Sequence, residues 1–199
     1  MRIVRAELRE LVLPLVVPFA IAGGEMAERR SLVVVLTDEA GRTGYGESPP
    51  FALPFYSEET LGTARAVLTD ALLPRIVGRE FAGPEDVDAA LRAGVRGNPF
   101  ARAGVETAAW DLDARRRGVG LATLVGERLG AAPAPSIPCG VALGIPADRR
   151  PATLAGQVAE AVAAGYRRVK IKIAPGWDEA AVAAARDALA GSAVPLTVD

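Results

Sequence analysis

RRVKIKIAPGWD, residues 167–178, is the stretch on which the reading of this chain turns. It has the β-branched content of a buried strand, yet it carries Lys170 and Lys172 one residue apart. Alternate side chains of a strand share a face, so the two lysines project together while Val169, Ile171 and Ile173 project to the opposite side. On an open edge strand both ammoniums would simply stand in water. In a sheet that closes into a barrel they would point inward, where an unpaired ammonium is too costly to keep without a carboxylate, a metal-site network or a bound anion. Two amines side by side in a partly desolvated interior also disfavour each other's protonation, and a neutral amine is a competent general base.

The surroundings favour the closed sheet. From residue 134 the chain alternates: SIPCGVALG (136–144) reads as a strand, 151–164 as a helix, 168–173 as a strand, 178–190 as a helix and PLTVD (195–199) as a strand. Such alternation implies parallel strands joined by right-handed crossovers. Asp199 falls at the carboxyl end of the strand after the lysine strand, the end where parallel barrels collect their active sites. A carboxylate there suits a hard divalent cation such as Mg2+, although one aspartate at a strand end also reads as a helix cap. A full eightfold barrel takes about 250 residues, so three strands predict the front part of something longer.

Ahead of this unit, residues 1–130 read as an α+β domain, with the boundary in GAAPAPS (130–136). Residues 2–13 form a predicted strand, and SLVVVLTDEAGRTGYGES (31–48) forms two strands around a turn at 38–42. PFAIAGGEM (18–26) and SPPFALPFYS (48–57) read as loops. Ser57 is the expected cap of a helix that turns Leu61, Ala64, Leu68 and Leu72 to one side. Gly83 and Pro84 open a second helix, and Asn98 with Pro99 a third that keeps Val105, Ala108, Ala109 and Leu112 in register until Gly118.

Composition removes several functions. The chain has 199 residues, 23 Lys plus Arg against 24 Asp plus Glu, and no basic stretch interleaved with aromatics, so no nucleic-acid partner is expected. It contains no histidine, which excludes His-based triads and His metal ligands and leaves acid-base work to Lys, Asp, Glu, Tyr or Cys. The single cysteine, Cys139, reads as a small buried hydrophobe. LVLPLVVPFAIAGG (11–24) is broken by Pro14 and Pro18, so it reads as a strand and bend rather than an export signal, and no run is long enough to span a bilayer. A cytoplasmic location, with no membrane partner, is the expectation.

VKIKIAPGWD, the closing LTVD, and VRGNPFARAGVETAAWDLDARRRGVGLATLVG (95–126) together resemble the enolase superfamily, muconate-lactonizing subgroup. Within it the likeness is to the o-succinylbenzoate synthase and N-acylamino-acid racemase branch. Sites of that superfamily pair a Lys or His base with Mg2+. The resemblance implies a capping α+β domain followed by the first strands of a truncated (β/α) TIM-type barrel. It implies that Lys172 removes the proton α to a carboxylate, that Lys170 is its companion, and that Asp199 is the first of three carboxylate ligands to Mg2+. Residues 18–26 and 48–57 would close over a small-molecule carboxylate, with Phe19, Phe51 and Phe55 as apolar contacts; small satellite clusters under loops are the other reading of these phenylalanines. The implied reaction is dehydration to o-succinylbenzoate, a step toward menaquinone, with racemisation of N-acylated amino acids as the alternative.

One departure bears on substrate. The first barrel strand of the relatives reads GVSLG and this one GVALG, so Ala142 stands where a hydroxyl could meet substrate. The later lysine and the other two metal ligands of the family pattern have no counterpart within these residues. The rival expectation is a non-catalytic chain that works by associating with a partner; a homo-oligomer is compatible with either.

Overall fold

The computed structural model describes residues 1–21 and 24–199, without the side chains at 17, 19–21, 24 and 25. Phe19, one of the three expected apolar contacts, therefore lies outside the described residues. Contacts divide the chain into two compact units, Met1–Pro18 with Met26–Pro133, and Phe19–Glu25 with Ala134–Asp199.

The first unit opens with a sheet of order β1 (Ile3–Ile21), β2 (Gly24–Asp38) and β3 (Thr43–Ser48). β2 and β3 pair antiparallel from Leu32↔Ser48 to Thr37↔Thr43. Asp38 holds their turn: it accepts from the backbone N–H of Ala40 at 3.0 Å and of Arg42 at 2.9 Å, and from Arg42 Nε at 2.8 Å. β1 runs well past the expected end at residue 13, and β1 and β2 take up most of the stretch expected as a loop at 18–26. Pro14 and Pro18 do not break the strand because they are four apart and so face the same side of the ladder. Beyond its first residues β1 is an edge strand, where a missing N–H is tolerated.

Alternation sends Leu32, Val34 and Leu36 of β2 into the core, all at 0% exposure, against Leu61, Ala64, Leu68 and Leu72. These last four lie on α1 (Leu61–Val67) and on the continuous helical turns after it, as the spacing predicts. Its cap, however, is Thr60 and not Ser57: Thr60 Oγ1 accepts from Thr63 N at 3.2 Å and Thr63 Oγ1 accepts from Thr60 N at 2.9 Å. Helices α2 (Pro84–Arg92), α3 (Pro99–Arg117) and α4 (Leu121–Leu129) follow.

α3 packs on β3 with almost no space between backbones. A Cβ on Gly44 would sit 2.4 Å from the Ala108 carbonyl oxygen, and one on Gly46 2.1 Å from that of Gly104. Only glycine at both strand positions allows this approach. The helix start is also held remotely. Asn98 takes a left-handed conformation and makes no side-chain cap. The carboxylate of Glu59, 2% exposed, does so instead, accepting from Phe100 N at 2.7 Å and Ala101 N at 3.1 Å. Placing a carboxylate at a helix N-terminus satisfies orphan donors and suits the helix dipole.

The second unit contains β4 (Gly140–Leu143), α5 (Pro151–Ala163), β5 (Arg168–Ile171), α6 (Asp178–Ala188) and β6 (Leu196–Val198). The strands are parallel in the order β4-β5-β6. Val169 and Ile171 are fully buried with Leu154 and Val158 of α5 and Ala181 and Ala185 of α6. Cys139, expected to be buried, is exposed, because it precedes β4 at the rim of the sheet rather than facing the helices.

Gly46→Ala is expected to destabilise the first unit by at least about 2 kcal/mol, because neither backbone can yield to the new methyl. Gly62→Ala in α1, whose added Cβ would find its nearest neighbour at 3.7 Å, should stay within about 1 kcal/mol of the parent in urea denaturation. Glu59→Ala leaves the α3 N-terminus uncapped and is expected to cost about 1–3 kcal/mol in the same measurement.

Candidate active site

The lysine strand is built as its sequence alternation requires. Burying Val169 and Ile171 under the helices leaves Lys170 and Lys172 on the other face, with Arg168 two residues earlier on that same face. Parallel pairing then fixes what stands beside them. Ala142 and Thr197 lie level with Lys170. The ladder continues past the ends of the strands: Asp199 N donates to Ile171 O at 3.1 Å and Ile173 N donates to Asp199 O at 2.9 Å. That pair of bonds brackets Lys172 and sets Asp199 directly across from it.

The side chains meet accordingly. Lys172 Nζ donates to Asp199 Oδ2 at 2.6 Å, and Lys170 Nζ forms an ion pair with the same oxygen. Hydrogen bonds from Lys170 first and Lys172 second, reinforced by the two charges, pull the Asp199 carboxyl down to about 2. All three residues stand at the carboxyl ends of their strands, the end expected from sequence.

The lysine face is partly exposed in this chain. Lys170, Lys172 and Asp199 keep side-chain exposures of 39%, 42% and 45%, because α5 and α6 cover only the face of Val169 and Ile171. Ala142 is also exposed, one strand away from Lys170. Small residues dominate here: Ala142 has no group beyond its methyl, and a Cβ on Gly144 would meet nothing within 4 Å. The face is thus open around the two amines.

In the first unit, Phe51 and Phe55 of the 48–57 segment lie together, ring centroids 4.7 Å apart, with Tyr56 5.9 Å from Phe51. Phe55 is 52% exposed and Tyr56 76%. Arg29 of β2 lies over the Phe51 ring, its guanidinium carbon 4.6 Å from the centroid, and donates to the carbonyl of Pro49. Sequence reasoning missed both cationic residues. Arg168 was legible from its parity with the lysines; Arg29 is 22 positions from Phe51 on another element, and nothing local marks it.

Asp199 is a hard oxygen donor and so fits Mg2+ in kind. It falls short in number, since among the described residues no group of three His, Cys, Asp or Glu side chains stands together. No helix among them is long and apolar enough to cross a membrane.

An antiparallel sheet with helices, followed by parallel strand–helix units whose strand ends carry two lysines and an aspartate, is the organisation of a capping domain followed by the opening of a (β/α) barrel. Residues 4–126 match the mandelate racemase / muconate lactonizing enzyme N-terminal domain, and the chain belongs to that family, within the enolase superfamily. It is 38% identical over 183 residues to o-succinylbenzoate synthase of Bacillus subtilis, covering 92% of this chain and 46% of that protein. It is 40% identical over 188 residues to N-succinylamino acid racemase of Thermus thermophilus, covering 94% and 48%. Among solved structures it is similar to an enolase-superfamily member from Listeria innocua, with a TM-score of 0.90 and 36% identity over 100% of this chain and 51% of that one. The chain therefore spans about half the length of the relatives it matches.

The Asp199 contact is held while the carboxyl is ionised, so it is present above the ordinary aspartate range near pH 4 and lost as pH falls through about 2. A carbon-13 titration of the Asp199 side-chain carboxyl should give a midpoint near 2, moving up toward about 4 in the Lys170→Met, Lys172→Met double variant. Calorimetry of the 199-residue chain with Mg2+ should show no saturable binding in the micromolar range, because one carboxylate already engaged by two ammoniums is a poor site.

Proposed function

We propose that this chain forms the capping domain and first barrel strands of an enzyme that removes a proton α to a carboxylate. The preferred reaction is dehydration to o-succinylbenzoate. The observation that carries the reading is the meeting of Lys170, Lys172 and Asp199 at the carboxyl ends of β5 and β6. A carbon acid of this kind is too weak for an amine to ionise unaided, so charge developing on the substrate's oxygens has to be stabilised. Mg2+, when bound, supplies that stabilisation as a Lewis acid, and Asp199 is the residue of this chain that would hold it.

The remaining roles fall to the chain's own side chains. Lys172, directly across from Asp199, is the proposed base, accepting the α-proton on Nζ. Lys170, one strand repeat below, orients the substrate carboxylate and keeps the face cationic. Ala142 and the space beside Gly144 leave room for the substrate next to the amines. Phe51 and Phe55 are the proposed apolar contacts from the capping domain, and Phe19 stays in that set on sequence grounds. The substrate class is a small carboxylate.

Racemisation of N-acylated amino acids is the second reading, favoured by the 40% identity to the Thermus thermophilus racemase. It also begins with removal of an α-proton, with Lys172 serving one enantiomer, and differs in the return of a proton to the opposite face, so both activities need assay.

In the full-length protein supplied with Mg2+, Lys172→Ala is expected to lower kcat for dehydration by about 10³ or more, with the fold unchanged by circular dichroism. A Lys172→Ala enzyme at full activity, or a parent protein without either activity, would overturn the reading.

A further inference from the structure

We infer that Arg29 is a positioning residue for the 48–57 segment and thereby sets how tightly the enzyme binds its substrate; this rests on the proposed role of Phe51 and Phe55 as substrate contacts. The observations are local to the first unit. Arg29 lies on β2 and is half-buried. Its guanidinium covers the Phe51 ring at 4.6 Å and donates to the Pro49 carbonyl, so one side chain grips the segment at two points two residues apart. Its neighbour Arg30 points to carboxylates instead, Glu28 at 3.0 Å and Glu10 at 3.3 Å.

The rest of the segment has few other anchors of this kind. At its far side Phe51 O accepts from Leu61 N at 3.0 Å, which ties Phe51 to the start of α1. Between these ties lie Leu53 at 69% exposure, Phe55 at 52% and Tyr56 at 76%. Phe55 and Tyr56 both pack on the Phe51 ring. The Phe51 ring is therefore the hub of the cluster, and Arg29 fixes the hub. A planar guanidinium can stack on the ring face and donate sideways to a carbonyl at once, which a shorter or uncharged side chain cannot do.

A fixed cluster presents its apolar surface already ordered, so substrate binding does not have to order it. Loss of Arg29 should weaken binding and leave the proton-transfer step alone, because Arg29 does not touch the reacting atoms.

The experiment uses the full-length protein with Mg2+ and two variants, Arg29→Met and Arg29→Lys. Arg29→Met is expected to raise KM about tenfold with kcat changed less than about twofold. Arg29→Lys keeps the cation but not the planar fork that makes both contacts at once, so it should recover only part of the loss. In the 199-residue chain, Arg29→Met should also speed chymotryptic cleavage after Phe51, Phe55 or Tyr56. Faster cleavage with unchanged KM would show a structural role only and overturn the inference, as would unchanged KM and unchanged cleavage. A matched fall in kcat with no change in KM would overturn it too. A parent protein inactive in both reactions would defeat the proposed function, and the inference with it; an active parent with an insensitive Arg29→Met variant defeats the inference alone.

Discussion

The strict two-residue period of β5 is the constraint from which the site follows. Val169 and Ile171 are fully buried under α5 and α6, and a buried aliphatic side chain of this size is worth about 1.5–3 kcal/mol. Slipping the strand by one residue would expose both and drive two ammoniums into an apolar layer. The helices thus fix the direction of the lysines by burying the opposite face of the strand. The ion pairs with Asp199 contribute far less to this choice, since all three side chains remain well exposed and water screens them. Their importance is chemical: parallel pairing sets Asp199 level with Lys172, so a base and an oxygen donor arrive together at one end of the sheet.

The first unit obeys a different constraint, the backbone contact between β3 and α3. Gly44 and Gly46 remove the side chains that would hold the helix off the sheet, and Gly104 and Ala108 do the same from the helix. Glu59 then ties the start of α3 to the segment that follows the aromatic cluster. The aromatic cluster consequently sits between two fixed points, Arg29 on the sheet and Glu59, whose carboxylate is bound to the start of α3.

Much of this was legible in the sequence, and the exceptions have physical causes. Alternation identified β5 and its two faces, and the repeat of strand and helix identified the parallel unit. Helical spacing found Leu61, Ala64, Leu68 and Leu72, and Gly118 ended α3 as expected. Caps were less legible, because Glu59 reaches α3 from 40 residues away and Asn98 beside it offered a plausible local answer. Pro14 and Pro18 read as breaks because edge position and ladder parity are properties of the sheet. The exposure of the lysines depends on what covers the second face, which the strand's own sequence does not encode. Arg29 over Phe51 is a tertiary contact with no local pattern, whereas Arg168 follows from the parity that already singled out the lysines.

The account is tested most directly by following hydrogen at the α-carbon itself. An N-acylated amino acid has an α-proton and nothing to eliminate, so exchange in D2O reports proton removal alone. With Mg2+ and the full-length protein, the account predicts that the parent washes deuterium into the α-position and that Lys172→Ala loses the exchange of the enantiomer whose α-proton faces Lys172. Exchange of that enantiomer by Lys172→Ala at the parent rate would contradict it.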